Sequence, residues 1–217
     1  MSIRTQNIAD ETVGTIAAGL AGATMVFRKY KIDFCCGGDV RLSEACAKRA
    51  VATETVLAEL TALEARQPDV PDETPAMIEY IVQRFHDVHR QELPELIKLA
   101  RKVETVHRDH PDAPHGLADV LEETLASLTS HMMKEEQILF PCMLSGHVPT
   151  GPIAMMRYEH DEEARHIRAL QTLTHSYTPP EDGCNSWRAL YTGVEKFVTD
   201  LMEHIHLENN VLFVRFE

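Results

Sequence analysis

One short phrase occurs twice in this chain of 217 residues. His131-Met-Met-Lys-Glu135 runs on to Leu139-Phe140, and 73 residues later His204-Ile-His-Leu-Glu208 runs on to Leu212-Phe213. Four positions is about one helical turn, so each histidine shares a helix face with its glutamate. The Leu-Phe pair that follows at helical spacing reads as core packing. Imidazole and carboxylate on one face suit a first-row transition metal. Two copies predict two half-sites, and hence a site with two metals.

Each copy has a matched partner upstream. Phe85-His86-Asp87 precedes the first, with 45 residues from His86 to His131, and Glu159-His160-Asp161 precedes the second, with 44 from His160 to His204. A pseudo-twofold helical bundle would gather His86, His131, Glu135, His160, His204 and Glu208 in its core. Four imidazoles and two carboxylates serve two metals if both glutamates bridge. Each ion then takes two histidine nitrogens and one oxygen from each glutamate, with room for a bridging oxide or hydroxide and an open position. Mixed nitrogen and oxygen ligation with vacancies suits redox-active iron, and the same ligand types admit manganese. A structural zinc site would be closed and four-coordinate, often with thiolates.

The surrounding pattern is all-α. Four long segments show helical spacing without strand-like alternation. The first starts near Thr74-Pro75, with Thr74 as N-cap, contains Pro94 as a point for a kink, and stops before Pro111. The second spans about 116–140 and ends at Pro141, the third about 151–176, the fourth about 181–213. Four helices with short joins pack as an antiparallel bundle. One tension remains at this level: in straight helices His86 and His131 would sit roughly 10 Å apart along the axis unless residues near the joint are not helical.

Ahead of the bundle, residues 1–65 read as a small helical domain. Ala/Val/Leu-rich stretches at 11–27 and 42–60 flank Asp33-Phe-Cys-Cys-Gly-Gly38, and residues 66–75, with three prolines, read as a linker to a bundle domain at 76–217. Cys35 and Cys36 admit two readings. As exposed thiols with pKa lowered by Arg28, Lys29, Lys31 and Arg41 they would exchange or pass a soft metal; as buried residues they would be small hydrophobes. Cys46, Cys142 and Cys184 read as core.

Three Glu-x-x-His pairs also occur, Glu104/His107, Glu163/His166 and Glu203/His206, at places that do not correspond between the halves. His107 joins the site only if its helix breaks, and His206 faces away from His204. His89, His110, His115, His147, His166 and His175 are expected to be solvated.

A net charge of −13 excludes nucleic acid as a natural partner. No uncharged apolar run is long enough to cross a bilayer, and the N-terminus lacks a signal pattern, so the expected location is the cytoplasm. Five cysteines fit reduced thiols.

In these residues the chain resembles the Repair of Iron Centers family over nearly its whole length. The matching stretches are Phe27-Arg-Lys-Tyr-Lys-Ile-Asp-Phe-Cys35-Cys36-Gly-Gly38, Phe85-His86-Asp87, Ser130-His131 through Pro141, Glu159-His160-Asp161 and His204 through Phe213. Val214 departs from the proline usual there. The resemblance implies a hemerythrin-like bundle holding two non-haem iron ions per chain, oxo- or hydroxo-bridged. His86, His131, His160 and His204 would be ligands, with Glu135 and Glu208 bridging. It further implies stress-response repair of iron–sulfur clusters, through nitric oxide binding, iron donation or both, with Cys35 and Cys36 in thiol or iron transfer. Damaged iron–sulfur proteins and nitric oxide are the implied partners, and a homodimer is left open. A nitric oxide or oxygen sensor or carrier, and a nitric oxide reductase, stay open as alternatives, and with them the question of whether the protein is an enzyme.

Overall fold

The computed structural model describes residues 8–20, 23–34, 37–63 and 70–216. Among these there is no strand; one isolated bridge joins Thr12 and Arg41. The chain forms two compact units, residues 78–201 and residues 1–77 together with 202–217.

The N-terminal helices are short: α1 (Val13–Gly19), α2 (Ala23–Lys29), α3 (Leu42–Lys48) and α4 (Thr53–Ala62). Thr12 caps α1 by accepting from Thr15 N at 3.2 Å. Each helix buries one stripe, with Val13, Ile16, Phe27, Leu42, Val56 and Leu60 forming the core. The glycines of the Cys-Cys-Gly-Gly stretch serve a close approach. Gly14 N donates to Gly38 O at 2.8 Å, and a Cβ on Gly38 would meet Phe34 O at 2.9 Å and Gly14 Cα at 3.1 Å. Cys35 and Cys36 lie outside the described residues.

The bundle helices are α5 (Thr74–Ile81), α6 (Asp87–Val106), α7 (Leu117–Lys134), α8 (Phe140–Leu144), α9 (Thr150–Leu173) and α10 (Asn185–Leu207). Pairs across neighbours run antiparallel. Arg101 meets Glu122 and Arg90 meets Glu136 between α6 and the α7 rod; Ser127 meets Glu163 and Lys134 meets Glu159 between α7 and α9. Between α6 and α10, Lys196 meets Glu92, and a Cβ on Gly193 would lie 2.6 Å from Leu96 Cδ2. α6 continues through Pro94.

Three wide turns interrupt these rods. Val82–His86 joins α5 to α6, Glu135–Leu139 joins α7 to α8, and Glu208–Leu212 follows α10, each a π-helical turn. In each, a backbone N–H reaches five residues back: Asp87 to Val82, Phe140 to Glu135, Phe213 to Glu208. Such turns add one residue to the helix and gather at functional positions.

Several boundaries differ from the sequence expectation. Thr74 is the first helical residue, not the cap, because Met77 N donates to Glu73 O; its hydroxyl accepts from Arg215 at 3.3 Å instead. The second rod passes Pro141 and ends at Leu144. The wide turn before Pro141 has already broken the regular ladder, so the missing N–H costs little there. α9 stops at Leu173 because His175, Ser176 and Tyr177 are all left-handed, at φ 47°, 56° and 64°. α10 starts at Asn185 because Gly183 N closes a turn on Pro180 O, which Arg188 clamps through the Gly183 and Glu181 carbonyls. The level mismatch does not keep the two histidines apart: residues 107–116 are not in an α-helix, and His86, whose Nδ1 pairs with Glu136, has its Nε2 3.4 Å from the same Glu135 oxygen as His131 Nε2.

Asp200 anchors α10 to the first rod. It is buried, and Arg84 grips both its oxygens at 2.7 and 3.2 Å while Lys196 adds 2.9 Å. Burial pushes its carboxyl up, but the bonds from Arg84 and Lys196 outweigh this and hold it below the usual range. A depressed folded-state pKa contributes stability above the unfolded value, which is lost as pH falls through the folded one. Asp200→Asn is therefore expected to destabilise the protein by about 2 kcal/mol at neutral pH. In thermal melts the gap to wild type should close below about pH 4.

Candidate metal centre

All six residues of the repeated pattern are buried. Two groups of side chains present ligand atoms within 4.8 Å of one another: His86, Glu135, His204 and Glu208, and His131, Glu135, His160 and Glu208. Glu135 and Glu208 belong to both.

The wide turns set the register of three of these residues. Glu135 and Glu208 open the second and third turns, and His86 closes the first. His160 comes from the uninterrupted α9. The inward atoms are the Nε2 nitrogens. His86 Nε2 and His131 Nε2 each lie 3.4 Å from Glu135 Oε2, His131 Nε2 is 3.1 Å from His160 Nε2, and His204 Nε2 is 3.1 Å from Glu208 Oε1. Donors about 3 Å apart are what adjacent ligands of one small cation present, given metal–ligand bonds of roughly 2.1 Å.

The donor set also fits a cation on energetic grounds. Glu135 has no exposed surface, and among the described residues neither of its oxygens accepts a hydrogen bond. Burying an ionised carboxylate in that state costs several kcal/mol. Cations between Glu135 and the imidazoles remove the penalty. The mixed nitrogen and oxygen donors suit iron, and no thiolate is among them.

Sequence reasoning missed the outer layer. His86 Nδ1 is 2.7 Å from Glu136, which also accepts from Arg90 at 2.7 Å. His131 Nδ1 is 3.0 Å from Glu159, which also accepts from Lys134 at 2.5 Å. Burial raises the carboxyl of each glutamate, yet the bonds from His86 and Arg90, and from Lys134 and His131, leave both below the usual range. A carboxylate on Nδ1 fixes the tautomer and turns Nε2 inward. The signal available was adjacency, since Glu136 follows Glu135 and Glu159 precedes His160. It is not repeated in the second copy, where Asn209 follows Glu208.

Other expectations need correction. His89 is fully buried, not solvated; it packs against Phe85 and Phe197, with ring centroids at 6.3 and 5.3 Å, because it occupies a core position of α6. His166 and His110 are half-buried, paired with Glu163 and Asp182. His115, His147 and His175 are exposed. His107 belongs to neither ligand group; it sits just past α6, 4.8 Å from the Trp187 ring, with Nδ1 3.0 Å from Val103 O. His206 does face away from His204's partners, toward Phe34 at 5.5 Å. Cys46 is buried as expected, but Cys142 is half-buried and Cys184 exposed, because Cys184 lies in the turn before α10 rather than in a helix. Glu104 caps α7 by accepting from Ala118 N at 2.9 Å.

Glu136→Gln and Glu159→Gln should each weaken metal binding about 10- to 100-fold while leaving the helix content intact. Competition with a chelator, alongside circular dichroism, measures both.

No helix among the described residues is long and apolar enough to cross a membrane. The hemerythrin HHE cation binding domain matches residues 77–216, and a domain of unknown function, DUF542, matches residues 9–64. The iron-sulfur cluster repair protein YtfE of Musicola paradisiaca (strain Ech703) is 49% identical over 95% of this chain and 96% of its own length. The proteins of the same name from Pectobacterium carotovorum subsp. carotovorum (strain PC1) and Yersinia pseudotuberculosis serotype O:1b (strain IP 31758) are 48% and 46% identical over the same shares. A buried histidine and carboxylate cluster in an all-α bundle, joined to these likenesses along both parts of the chain, places it in the hemerythrin HHE cation-binding family, among the YtfE iron–sulfur cluster repair proteins.

Proposed function

We propose that this protein repairs iron–sulfur clusters damaged by nitrosative or oxidative stress, acting from a centre of two iron ions per chain. The carrying observation is Glu135: wholly buried, shared by both ligand groups and accepting no hydrogen bond among the described residues. His86 and His204 would hold one ion and His131 and His160 the other, with Glu135 and Glu208 bridging. The relatives' name, iron–sulfur cluster repair protein, supports the same reading.

Iron bound there supplies reversible nitric oxide binding and one-electron chemistry. The chain's own residues do the rest. Glu136 with Arg90 and Glu159 with Lys134 hold the Nδ1 protons of His86 and His131, keeping Nε2 turned inward. Burial of the ligands keeps bulk water from competing for them. Cys35 and Cys36, in an N-terminal domain at 1–65 that a linker at 66–75 joins to the bundle domain at 76–217, would accept or pass iron or nitrosyl groups. Damaged iron–sulfur proteins are the proposed clients, and the cytoplasm is the proposed setting.

Metal analysis and Mössbauer spectra of anaerobically purified protein should give close to two irons per chain. Glu135→Leu and Glu208→Leu should lose them; stoichiometric iron in both variants would count against bridging. Addition to an inactivated [4Fe–4S] enzyme should restore its activity, which a mere sensor or carrier would not do. Sustained conversion of nitric oxide to nitrous oxide with a reductant would instead favour a reductase.

A further inference from the structure

Glu163 is a buried carboxylate that neither ligand group uses. It sits on α9 three residues beyond His160, and both its oxygens are engaged. Ser127 Oγ donates to Oε1 at 2.6 Å, and His166 Nδ1 lies 3.0 Å from Oε2. Ser127 in turn stands four residues before His131 on α7. The row therefore has Ser127 one turn from His131 and Glu163 one turn from His160, and ends at an imidazole whose side chain is 22% exposed. Apolar side chains would pack this stretch at lower cost than a buried carboxyl paired with an imidazole. Packing alone does not account for it.

The centre supplies a need that the row meets. Histidine and carboxylate ligands bind a cation in deprotonated form and take up protons when it leaves. His86, Glu135, His204 and Glu208 have no exposed surface. Their protons must come through side chains or trapped water.

We propose that Ser127, Glu163 and His166 form a proton relay that couples departure of iron from the centre to proton uptake from solvent, an inference that rests on the iron-donating reading above. His166 gives its Nδ1 proton to Glu163 Oε2. Rotation of the carboxyl presents that proton to Ser127 Oγ, which passes its own proton inward to a ligand nitrogen or oxygen as its cation departs. His166 keeps its Nε2 proton, and when the ring turns to solvent its bare Nδ1 takes a new one from water. One proton enters for each ligand side chain left without a cation, no electron moves, and loading runs the row in reverse. The surrounding charges favour a protonated outer end. The hydrogen bond from Glu163, with added attraction from Glu123 on α7, raises His166 above the ordinary imidazole value against burial and Arg165. Arg165 is itself paired with Glu162.

The test follows transfer of iron from loaded full-length protein to a ferrous chelator by stopped-flow absorbance, from roughly pH 5.5 to 8 across the imidazole range. Wild-type release should quicken as pH falls. Glu163→Gln keeps the shape and the Ser127 contact; it should bind the same iron, release it at least about tenfold more slowly and lose the pH dependence. His166→Gln, at a half-exposed position tolerant of change, should do the same, and Glu163→Asp should recover part of the rate. In metal-free protein, the NMR titration of His166 should move to lower pH in Glu163→Gln. Full iron loading with wild-type release rates and pH profile in Glu163→Gln and His166→Gln would overturn the relay and leave the iron-donor reading standing. Wild-type protein that binds no iron would overturn both.

Discussion

Two carboxylates with no exposed surface, Glu135 and Glu208, set the conditions that the other features satisfy. An ionised carboxylate removed from water needs compensating charge close by. The nearest groups are imidazoles, which ligate cations when neutral, and two of them, His86 and His131, are oriented by carboxylates at Nδ1. Arg90 and Lys134 then compensate those carboxylates. Compensation runs outward in pairs, from Glu135 and Glu208 with their imidazoles, to Glu136 and Glu159 on His86 and His131, to surface guanidinium and ammonium. Removing any outer pair leaves the next one inside with an unbalanced buried group.

Helix register is the second constraint. A helix places residues four apart nearly in line, which suits His131 with Glu135 and His204 with Glu208. It does not let a following Leu-Phe pair stay in the core as well unless the phase is corrected. The wide turns at Glu135–Leu139 and Glu208–Leu212 make that correction, and Leu139 and Leu212 at their ends and Phe140 and Phe213 just beyond them are all buried. The same device at Val82–His86 keeps both Phe85 and His86 buried.

The helices and the six clustered residues were legible because their signals are local and repeated. Spacing of four within a helix, and near-equal spans between matched histidines, survive any detail of packing. The wide turns were not legible: nothing in Glu135-Glu-Gln-Ile-Leu139 forbids a regular helix, and the extra residue is forced by contacts made elsewhere. Glu136 and Glu159 escaped because each acts on a histidine of another helix, a relation that spacing along one helix cannot reveal. His89 was misjudged because polarity was weighed above its position, three residues past His86 on the inner face of α6. Pro141 was read as a stop from its missing N–H, although the turn before it had already removed the need for that donor.

The double engagement of Glu136 and Glu159 also bears on how an ion could travel. A protein of net charge −13 draws cations toward itself from every side. Free acidic groups close to the destination would act as traps along the way. Glu136 already holds both an imidazole and a guanidinium, and Glu159 an imidazole and an ammonium, so the pull of each on a visitor is weakened by a cation already in place. The last approach is thereby cleared of decoys, and an arriving ion finds its deepest well at the buried end of the journey.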